Sequence, residues 1–197
     1  MKRILQCIEF GIKNLIHVSA LGVKEKHKSL YMQSKLEGEK NIQNTFKNSV
    51  ILRPSIVFGP EDKFFNTFAS LAEFSPVLPL IGGGKTKFAP IYVGDVAKAI
   101  VKALELNTSE SKIYELGGPE NYSFKELLEI LLKEIKKKRF LVNIPFGLAK
   151  LESYFLQFMP NPLLTPDQVE MLKYNNVVSN EHLTLKDFGI TGTHIKN

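Results

Sequence analysis

The segment Asn14-Leu15-Ile16-His17-Val18-Ser19 is followed by Tyr31-Met32-Gln33-Ser34-Lys35, and this stretch decides the fold. The first run predicts a buried strand that ends in the hydroxyl of Ser19. Residues 29–45 have the composition of a helix, so Tyr31 and Lys35 lie one turn apart on the same helix face. We therefore expect an α/β fold organised around a strand that ends at Ser19 and a helix that carries Tyr31 and Lys35.

Ser19, Tyr31 and Lys35 are the candidate catalytic residues of the chain. A free phenol titrates near pH ~10, and an ammonium group one helical turn away favours the phenolate and lowers that pKa. The Ser19 hydroxyl can hold a carbonyl or an alcohol beside the phenol. The three groups would then form a general acid/base that moves a proton while a cofactor moves a hydride. The alternative is a chance Tyr-x-x-x-Lys spacing, which many helices contain.

Further motifs accompany these residues, and a second strand, 50–54, leads into the run from Ser55 to Pro60. In this order the motifs resemble the extended short-chain dehydrogenase/reductase superfamily, the NAD-dependent epimerase/dehydratase group. They are more similar still to an atypical branch, the alpha subcomplex subunit nine family of NADH:ubiquinone oxidoreductase (complex I) and its bacterial relatives. The motifs behind this resemblance occupy residues 17–22, 34–40, 58–66, 90–96 and 164–170.

The resemblance implies a fold, a cofactor and roles for individual residues. The fold would be the C-terminal half of a Rossmann-type NAD(P)-binding domain with a small, mainly helical substrate lobe. The cofactor would be NADP(H) or NAD(H). Tyr31 would be the acid/base, Lys35 would lower its pKa and hold the nicotinamide ribose, and Ser19 would orient a substrate. The backbone beside the nicotinamide would be that of Pro54, Ser55 and Ile56.

The sequence contains no G-x-G-x-x-G pattern, which normally follows the first strand of a dinucleotide-binding domain. By resemblance the chain would begin about halfway through that domain, either as a shortened reading frame or because a separate polypeptide supplies the first half. The missing strands would leave an exposed sheet edge. Residues 1–60 would be the dinucleotide-binding part, to which the chain returns at about 87–116. Residues 61–86 and 117–197 would form the lobe, with a glycine turn at 82–84.

Capping signals and apolar spacing predict the remaining elements. Asp62 would cap a helix that ends near residue 73, residues 74–84 would be a loop, and Asp95 would cap a helix over 96–106. An aromatic helix would begin at Pro145. The simpler expectation is that its apolar residues pack in the core, and the alternative is that they cover the substrate cleft or bind a partner protein. Other predicted helices cover 2–12, 123–138 and the residues after Thr165, and further strands cover 87–93, 112–116 and 140–144.

Composition argues against several classes of function. The 197 residues carry a net charge of +6, with no aromatic-interleaved basic face and no nucleic-acid motif. The single cysteine, Cys7, excludes an intramolecular disulfide, and the four histidines lack metal-ligand spacing, so we expect no metal. No apolar run reaches the ~18 residues of a membrane span. The basic run 136–139 would be a solvated helix end or, alternatively, a contact to acidic lipid at a membrane surface or to an acidic partner.

Three functions remain open from the sequence. The first is a binding and assembly role with a structural NADP(H) and respiratory complex I subunits as partners, as the resemblance implies. The second is an active NAD(P)-dependent oxidoreductase or epimerase/dehydratase, and the third is an inactive fragment. The absence of arginine between Arg53 and Arg139 argues against a nucleotide-sugar substrate. The expected location is the cytoplasm or the inner-membrane periphery of a bacterium, or the matrix side in a mitochondrion.

Overall fold

A computed structural model describes residue 6 and residues 9–106, 108–158, 162, 164–179 and 181–196. The strands are β1 (Leu15–Val18), β2 (Ser49–Pro54), β3 (Val57–Phe58), β4 (Val77–Ile81), β5 (Lys87–Phe88), β6 (Ile91–Tyr92), β7 (Lys112–Leu116), β8 (Tyr122–Ser123), β9 (Phe140–Ile144) and β10 (Leu183–Thr184). The helices are α1 (Leu30–Thr45), α2 (Lys63–Phe74), α3 (Val93–Leu104), α4 (Phe124–Glu134), α5 (Phe146–Leu156) and α6 (Pro166–Met171). The helix predicted over 2–12 lies largely outside the described residues.

The centre of the fold is a parallel sheet with the strand order β1-β2-β7-β10. β1 and β7 flank β2, with Val18 opposite Leu52 and Pro54 opposite Leu116. The predicted α/β fold is confirmed. Residues 183–184, assigned to the lobe from the sequence, pair with β7 in this sheet. Within the described residues β1 pairs only with β2, so its other edge is open.

Side chains of β2 alternate between the two faces of the sheet. Val50 and Leu52 pack in one core cluster with Val96 and Ala99 of α3. Arg53 points to the opposite face, where α1 lies. Helices therefore cover both faces of the sheet, as is usual for parallel strands.

The lobe has its own core around Phe124, Leu127 and Leu128 of α4, which are all buried. Beside it, β4 and β9 pair in parallel. The loop predicted over 74–84 is therefore wrong at its centre, because residues 77–81 form strand β4. Pro79 suggested a loop, but a proline is tolerated here because β4 has a single strand partner in the described chain. The predicted turn at 82–84 is present, with all three glycines at positive φ.

The prediction that Asp95 caps its helix is wrong. α3 begins at Val93, and its N-cap residue, Tyr92, makes no side-chain capping bond. Asp95 lies fully buried in the first turn, where its carboxylate accepts hydrogen bonds from the Thr193 backbone N–H at 2.7 Å and from Lys98 Nζ at 3.0 Å. Burial raises the pKa of Asp95, but the bonds from Thr193 and Lys98 outweigh burial, so the pKa is lowered.

Asp95→Asn is expected to lower the free energy of unfolding at neutral pH by about 1 kcal/mol, because an amide is a weaker acceptor than a carboxylate. The folded-state pKa lies below the unfolded value of 3.8. The carboxylate therefore stabilises fully above that value, and its contribution is lost as the pH falls through the folded pKa. Urea unfolding from neutral to acidic pH should show the two proteins converging at the acid end. A stability gap that is the same at every pH would contradict this account.

The aromatic helix predicted from Pro145 forms as α5, but its expected packing in the core is wrong for most of its apolar residues. Ala149 and Ser153 are buried, and Phe146 contacts Gly82. The large apolar side chains that face away from the core are 49–84% exposed. These side chains are Leu148, Leu151, Tyr154, Phe155 and Phe158. We call this set the α5 apolar face. None of the helices in the described part of the chain is long and apolar enough to cross a membrane.

Candidate functional site

Ser19 follows β1 at the carboxyl end of the sheet. Its backbone N–H donates to the Leu52 carbonyl of β2 at 2.7 Å, which continues the strand pairing by one residue. The side chain is buried, with 3% of its surface exposed, and Oγ has no hydrogen-bond partner among the described residues. A buried hydroxyl without a partner costs free energy unless a ligand or water satisfies it. Ser19 is therefore available to bind a ligand group.

Helix α1 brings Lys35 and Tyr31 to the same end of the sheet as Ser19. Lys35 Nζ donates to the Val18 carbonyl at 3.2 Å, directly before Ser19 in the chain. The same Nζ lies 5.7 Å from the centre of the Tyr31 ring. The structure therefore brings the three candidate catalytic residues together, although their roles in chemistry stay predictions.

The acidity of the Tyr31 phenol differs from the prediction. Tyr31 is 44% exposed, and burial of the rest raises its pKa above the ordinary value of 10.0. The expectation that Lys35 lowers this pKa is wrong for the chain in this structure. The physical reason is that desolvation disfavours the phenolate, and the Lys35 ammonium, 5.7 Å from the centre of the ring, does not offset it.

Residues Pro54, Ser55 and Ile56 leave the sheet at the carboxyl end of β2. The Leu21 N–H donates to the Pro54 carbonyl at 2.8 Å, and the Ser55 N–H donates to the Leu116 carbonyl at 2.9 Å. These bonds place the loop after β2 directly beside the loop after β1. The contact between residues 54–56 and a nicotinamide stays a prediction.

Two residues that the sequence analysis missed reach this site from the lobe. Asp167 accepts hydrogen bonds from the start of α1, and Asn176 bonds to both loops. The sequence did show the capped helix start at Thr165, and α6 confirms it. The bonds of Asp167 join residues 136 to 138 positions apart, and contacts at such separations leave no local signal in a sequence.

A buried charged network lies between α1 and the sheet. Arg53 Nε and Nη2 donate to the two carboxylate oxygens of Glu39 at 2.9 and 2.6 Å. Arg53 Nη1 lies 3.9 Å from Glu115 Oε1, and Glu115 Oε2 accepts from the Ser179 N–H at 2.6 Å. The three charged side chains are at most 8% exposed. The network fixes α1 against β2 and β7, whereas the sequence analysis noted Arg53 only because no arginine lies between it and Arg139.

His17 lies two residues before Ser19 on β1, and its Nε2 has no hydrogen-bond partner in the described chain. Burial lowers the pKa of His17, the Lys35 ammonium lowers it further, and Glu39 opposes both effects. The imidazole is therefore uncharged at neutral pH. In the part of the chain that the structure describes, no group of three or more His, Cys, Asp or Glu side chains is placed to hold a metal ion.

The best-formed cleft among the described residues does not coincide with the candidate catalytic residues. A cleft of about 560 Å³ lies elsewhere, lined by residues 57–63 and Val93. Its lining includes none of Ser19, Tyr31 and Lys35. The candidate site is therefore the carboxyl end of β1 and β2, together with the first turns of α1, and it combines the buried Ser19 with the 44% exposed Tyr31.

Comparison with known proteins places the chain in a family. The family model described as the RmlD substrate binding domain matches residues 24–179. The mitochondrial NADH dehydrogenase (ubiquinone) 1 alpha subcomplex subunit 9 of Arabidopsis thaliana is 36% identical over 196 residues, covering 94% of this chain and 49% of that protein. The chain spans about half the length of the curated relatives that it matches along most of its sequence.

Solved structures share the fold. UDP-N-acetylglucosamine 4-epimerase from Methanobrevibacter ruminantium has a TM-score of 0.65 at 18% identity, covering 99% of this chain and 62% of that one. The dTDP-glucose 4,6-dehydratase of Streptomyces venezuelae, solved with NAD bound, has a TM-score of 0.60 at 20% identity, covering 72% and 50%. The resemblance to the epimerase/dehydratase group and to the subunit nine proteins is confirmed. Because the family model covers most of its residues, the chain belongs to the RmlD substrate binding domain family.

Proposed function

We propose that the chain forms the nicotinamide side of an NAD(P)(H)-binding site in a longer protein, where the cofactor is held structurally and the protein assembles with respiratory complex I subunits. The observation that carries this proposal is the convergence of Ser19, Tyr31 and Lys35 at the carboxyl end of a parallel sheet. Ligands of open α/β sheets bind outside that end. The open edge of β1 is where the strands of an adenosine-binding half would pair.

The residues of the site fit the nicotinamide end of a dinucleotide. Lys35 Nζ can exchange the Val18 carbonyl for ribose hydroxyls, which accept hydrogen bonds from an ammonium group. The Ser19 hydroxyl is buried and has no hydrogen-bond partner in the described part of the chain, so it can bond to a ligand carbonyl or alcohol. When bound, the cofactor would supply hydride chemistry. NAD is present in the related dehydratase structure, which supports a nicotinamide dinucleotide but does not separate NAD(H) from NADP(H).

The state of Tyr31 is compatible with a cofactor that is held and not turned over. Burial raises the pKa of Tyr31, so its phenol stays protonated at neutral pH. A protonated phenol with a raised pKa is a poor general base. The dinucleotide would then stabilise the fold by binding to it, as any ligand of the native state does.

The α5 apolar face supports the assembly role. Large contiguous apolar surfaces on a protein commonly mark contacts with other proteins. The Arabidopsis relative is named as a subunit of mitochondrial NADH dehydrogenase. We therefore propose that complex I subunits are the partners of this protein. The protein would lie on the matrix side of the inner membrane in a mitochondrion, or in the cytoplasm or at the inner-membrane periphery in a bacterium.

The test is a fluorescence titration of NADPH and NADH into two proteins: this chain alone, and the chain joined to the residues encoded upstream of it. We expect saturable binding by the joined form, because it would supply the pyrophosphate-binding half. Tight binding by the 197-residue chain alone would contradict the half-site proposal. If neither form binds NADPH or NADH, the proposal that the protein binds a dinucleotide is wrong.

A second candidate function is an active oxidoreductase or epimerase/dehydratase, and the unpartnered Ser19 hydroxyl favours it. A cofactor that is only held does not require a protein hydroxyl that binds a substrate, whereas catalysis does. In this candidate Ser19 orients the substrate, Tyr31 transfers the proton, and Lys35 stabilises the phenolate once the cofactor draws its ammonium from the Val18 carbonyl. Turnover by the joined form with a panel of ketones and alcohols would support it.

A further inference from the structure

We propose that the lobe segment of residues 165–176, here called the clamp segment, sets the geometry of the cofactor site, with Asp167 and Asn176 as its positioning residues. This inference rests on the proposed function, in which the loops after β1 and β2 and the start of α1 surround the nicotinamide. The clamp segment comprises the N-cap residue Thr165, α6 and the five residues that follow α6. It contacts each of those three parts of the site.

Asp167 fixes the start of α1. Its Oδ1 accepts from the Leu30 N–H at 2.7 Å, and its Oδ2 accepts from the Ser29 hydroxyl at 2.8 Å and from the Tyr31 N–H at 3.2 Å. The first N–H groups of a helix have no partner within the helix, and a carboxylate near them is favourable. Ser29 alone already caps α1 through the Met32 N–H. The additional carboxylate therefore ties the position of the Tyr31 turn to the lobe.

Asn176 fixes the two loops to each other. Its Oδ1 accepts from the Ser55 hydroxyl at 2.6 Å, and its Nδ2 donates to the Leu21 carbonyl at 2.7 Å. Its backbone is held at both sides, since its N–H donates to the Lys87 carbonyl at 2.7 Å and its carbonyl accepts from the Ala89 N–H at 3.0 Å. The oxygen and the nitrogen of the Asn176 amide thus bond to two different loops, which are far apart in the sequence. A shift of Asn176 would move both loops.

Apolar contacts make the clamp segment one body with the loop that precedes α1. Met171 packs against the small cluster of Ala20, Val23 and Met32. The Tyr174 ring lies 4.4 Å from the ring of His27, measured between centres. Because Asp167 and Asn176 flank these contacts, the two sets of hydrogen bonds move together. A ligand or partner that shifts the lobe would therefore change the affinity of the cofactor site.

The test compares Asp167→Ala and Asn176→Ala with Asp62→Ala. Asp62 is a matched control, because its carboxylate caps α2 through the Phe65 N–H at 2.6 Å, and its hydrogen bonds within the described residues go to Phe65 and Gly59 and not to the loops directly after β1 and β2. In this chain, amide hydrogen exchange should accelerate in both clamp variants at Leu21 and Ser55, whose N–H groups are bonded in the native fold. In the joined form, each clamp variant should bind NADPH roughly tenfold more weakly, the effect of one lost hydrogen bond.

A conservative variant separates positioning from general destabilisation. Asp167→Asn keeps an oxygen that accepts from the Leu30 N–H and an amide NH₂ that donates to the Ser29 hydroxyl oxygen, but it loses the bond from the Tyr31 N–H. It should therefore recover part of the NADPH affinity lost in Asp167→Ala. Asp62→Ala should lower thermal stability and leave the NADPH affinity unchanged.

Each outcome decides the inference. Unchanged exchange at Leu21 and Ser55 in Asp167→Ala would overturn the coupling of the two contacts. Faster exchange with unchanged NADPH affinity would overturn the positioning role and leave a stabilising contact only. If the unmodified joined form binds no NADPH, the proposed function fails, and the exchange data by themselves then decide whether the clamp segment couples α1 to the loops.

Discussion

Replacing Arg53 with methionine is expected to lower the free energy of unfolding by about 3–5 kcal/mol, because two carboxylates would remain buried without their cation. Glu39 and Glu115 are 2% and 7% exposed at their side chains, so water cannot replace the guanidinium without opening the fold. Small proteins are stable by only about 5–15 kcal/mol, so the variant would be marginal. Urea unfolding followed by circular dichroism measures the loss.

Two further variants show whether the loss comes from the unpaired charge. Lys40→Met breaks the pair between Lys40 of α1 and Glu25 of the preceding loop, where both side chains are exposed, and it should leave stability unchanged within error. Arg53→Met combined with Glu39→Met should be more stable than Arg53→Met alone, because an apolar pair often replaces a buried ion pair without loss. Equal stability of Arg53→Met and Lys40→Met would show that the network contributes nothing.

The sequence predicts those elements of the fold whose signals are local. The apolar runs at 15–18, 50–54 and 112–116 predict the three central strands, and Ser29, Asp62 and Ser123 predict where their helices begin. Strand β4 was missed because it contains a proline, which an open-sided strand tolerates. Strand β10 was missed because two residues carry no periodicity, and it forms only because β7 offers a free edge.

The residues of the candidate site likewise fall into those that local sequence signals predict and those that only the tertiary fold brings together. Ser19, Tyr31 and Lys35 are recognisable because a strand end and a helical turn place them together within seventeen positions of sequence. The residue type and position of Asp95 predict a helix cap, whereas its hydrogen-bond partner Thr193 lies 98 positions away in the sequence. The positions of Asp167 and Asn176 near the site likewise follow from the tertiary fold. Long-range polar contacts of single side chains carry no pattern that one sequence can reveal.

Replacing Lys35 with methionine is expected to weaken NADPH binding by the joined form by roughly 10- to 100-fold, since hydrogen bonds to a charged group contribute about 1.5–3 kcal/mol. Methionine keeps the length and apolar stem of the lysine, so α1 should remain folded. A fluorescence titration measures the affinity. Lys40→Met is the matched control, because Lys40 lies on the same helix and bonds to Glu25 on the surface. Equal NADPH affinities of Lys35→Met and Lys40→Met would show that Lys35 does not contribute to the cofactor site.

Tyr31→Phe, measured beside Lys35→Met, separates a held cofactor from one that is turned over. It removes one neutral hydroxyl at a position that is 44% exposed, so NADPH affinity should change by less than about tenfold under either function. If the protein is an enzyme, the same change removes the acid/base and lowers turnover by roughly 100- to 10,000-fold. If the cofactor is structural, the joined form has no turnover for the change to reduce. Turnover that survives Tyr31→Phe would exclude Tyr31 as the proton donor, whichever cofactor is bound.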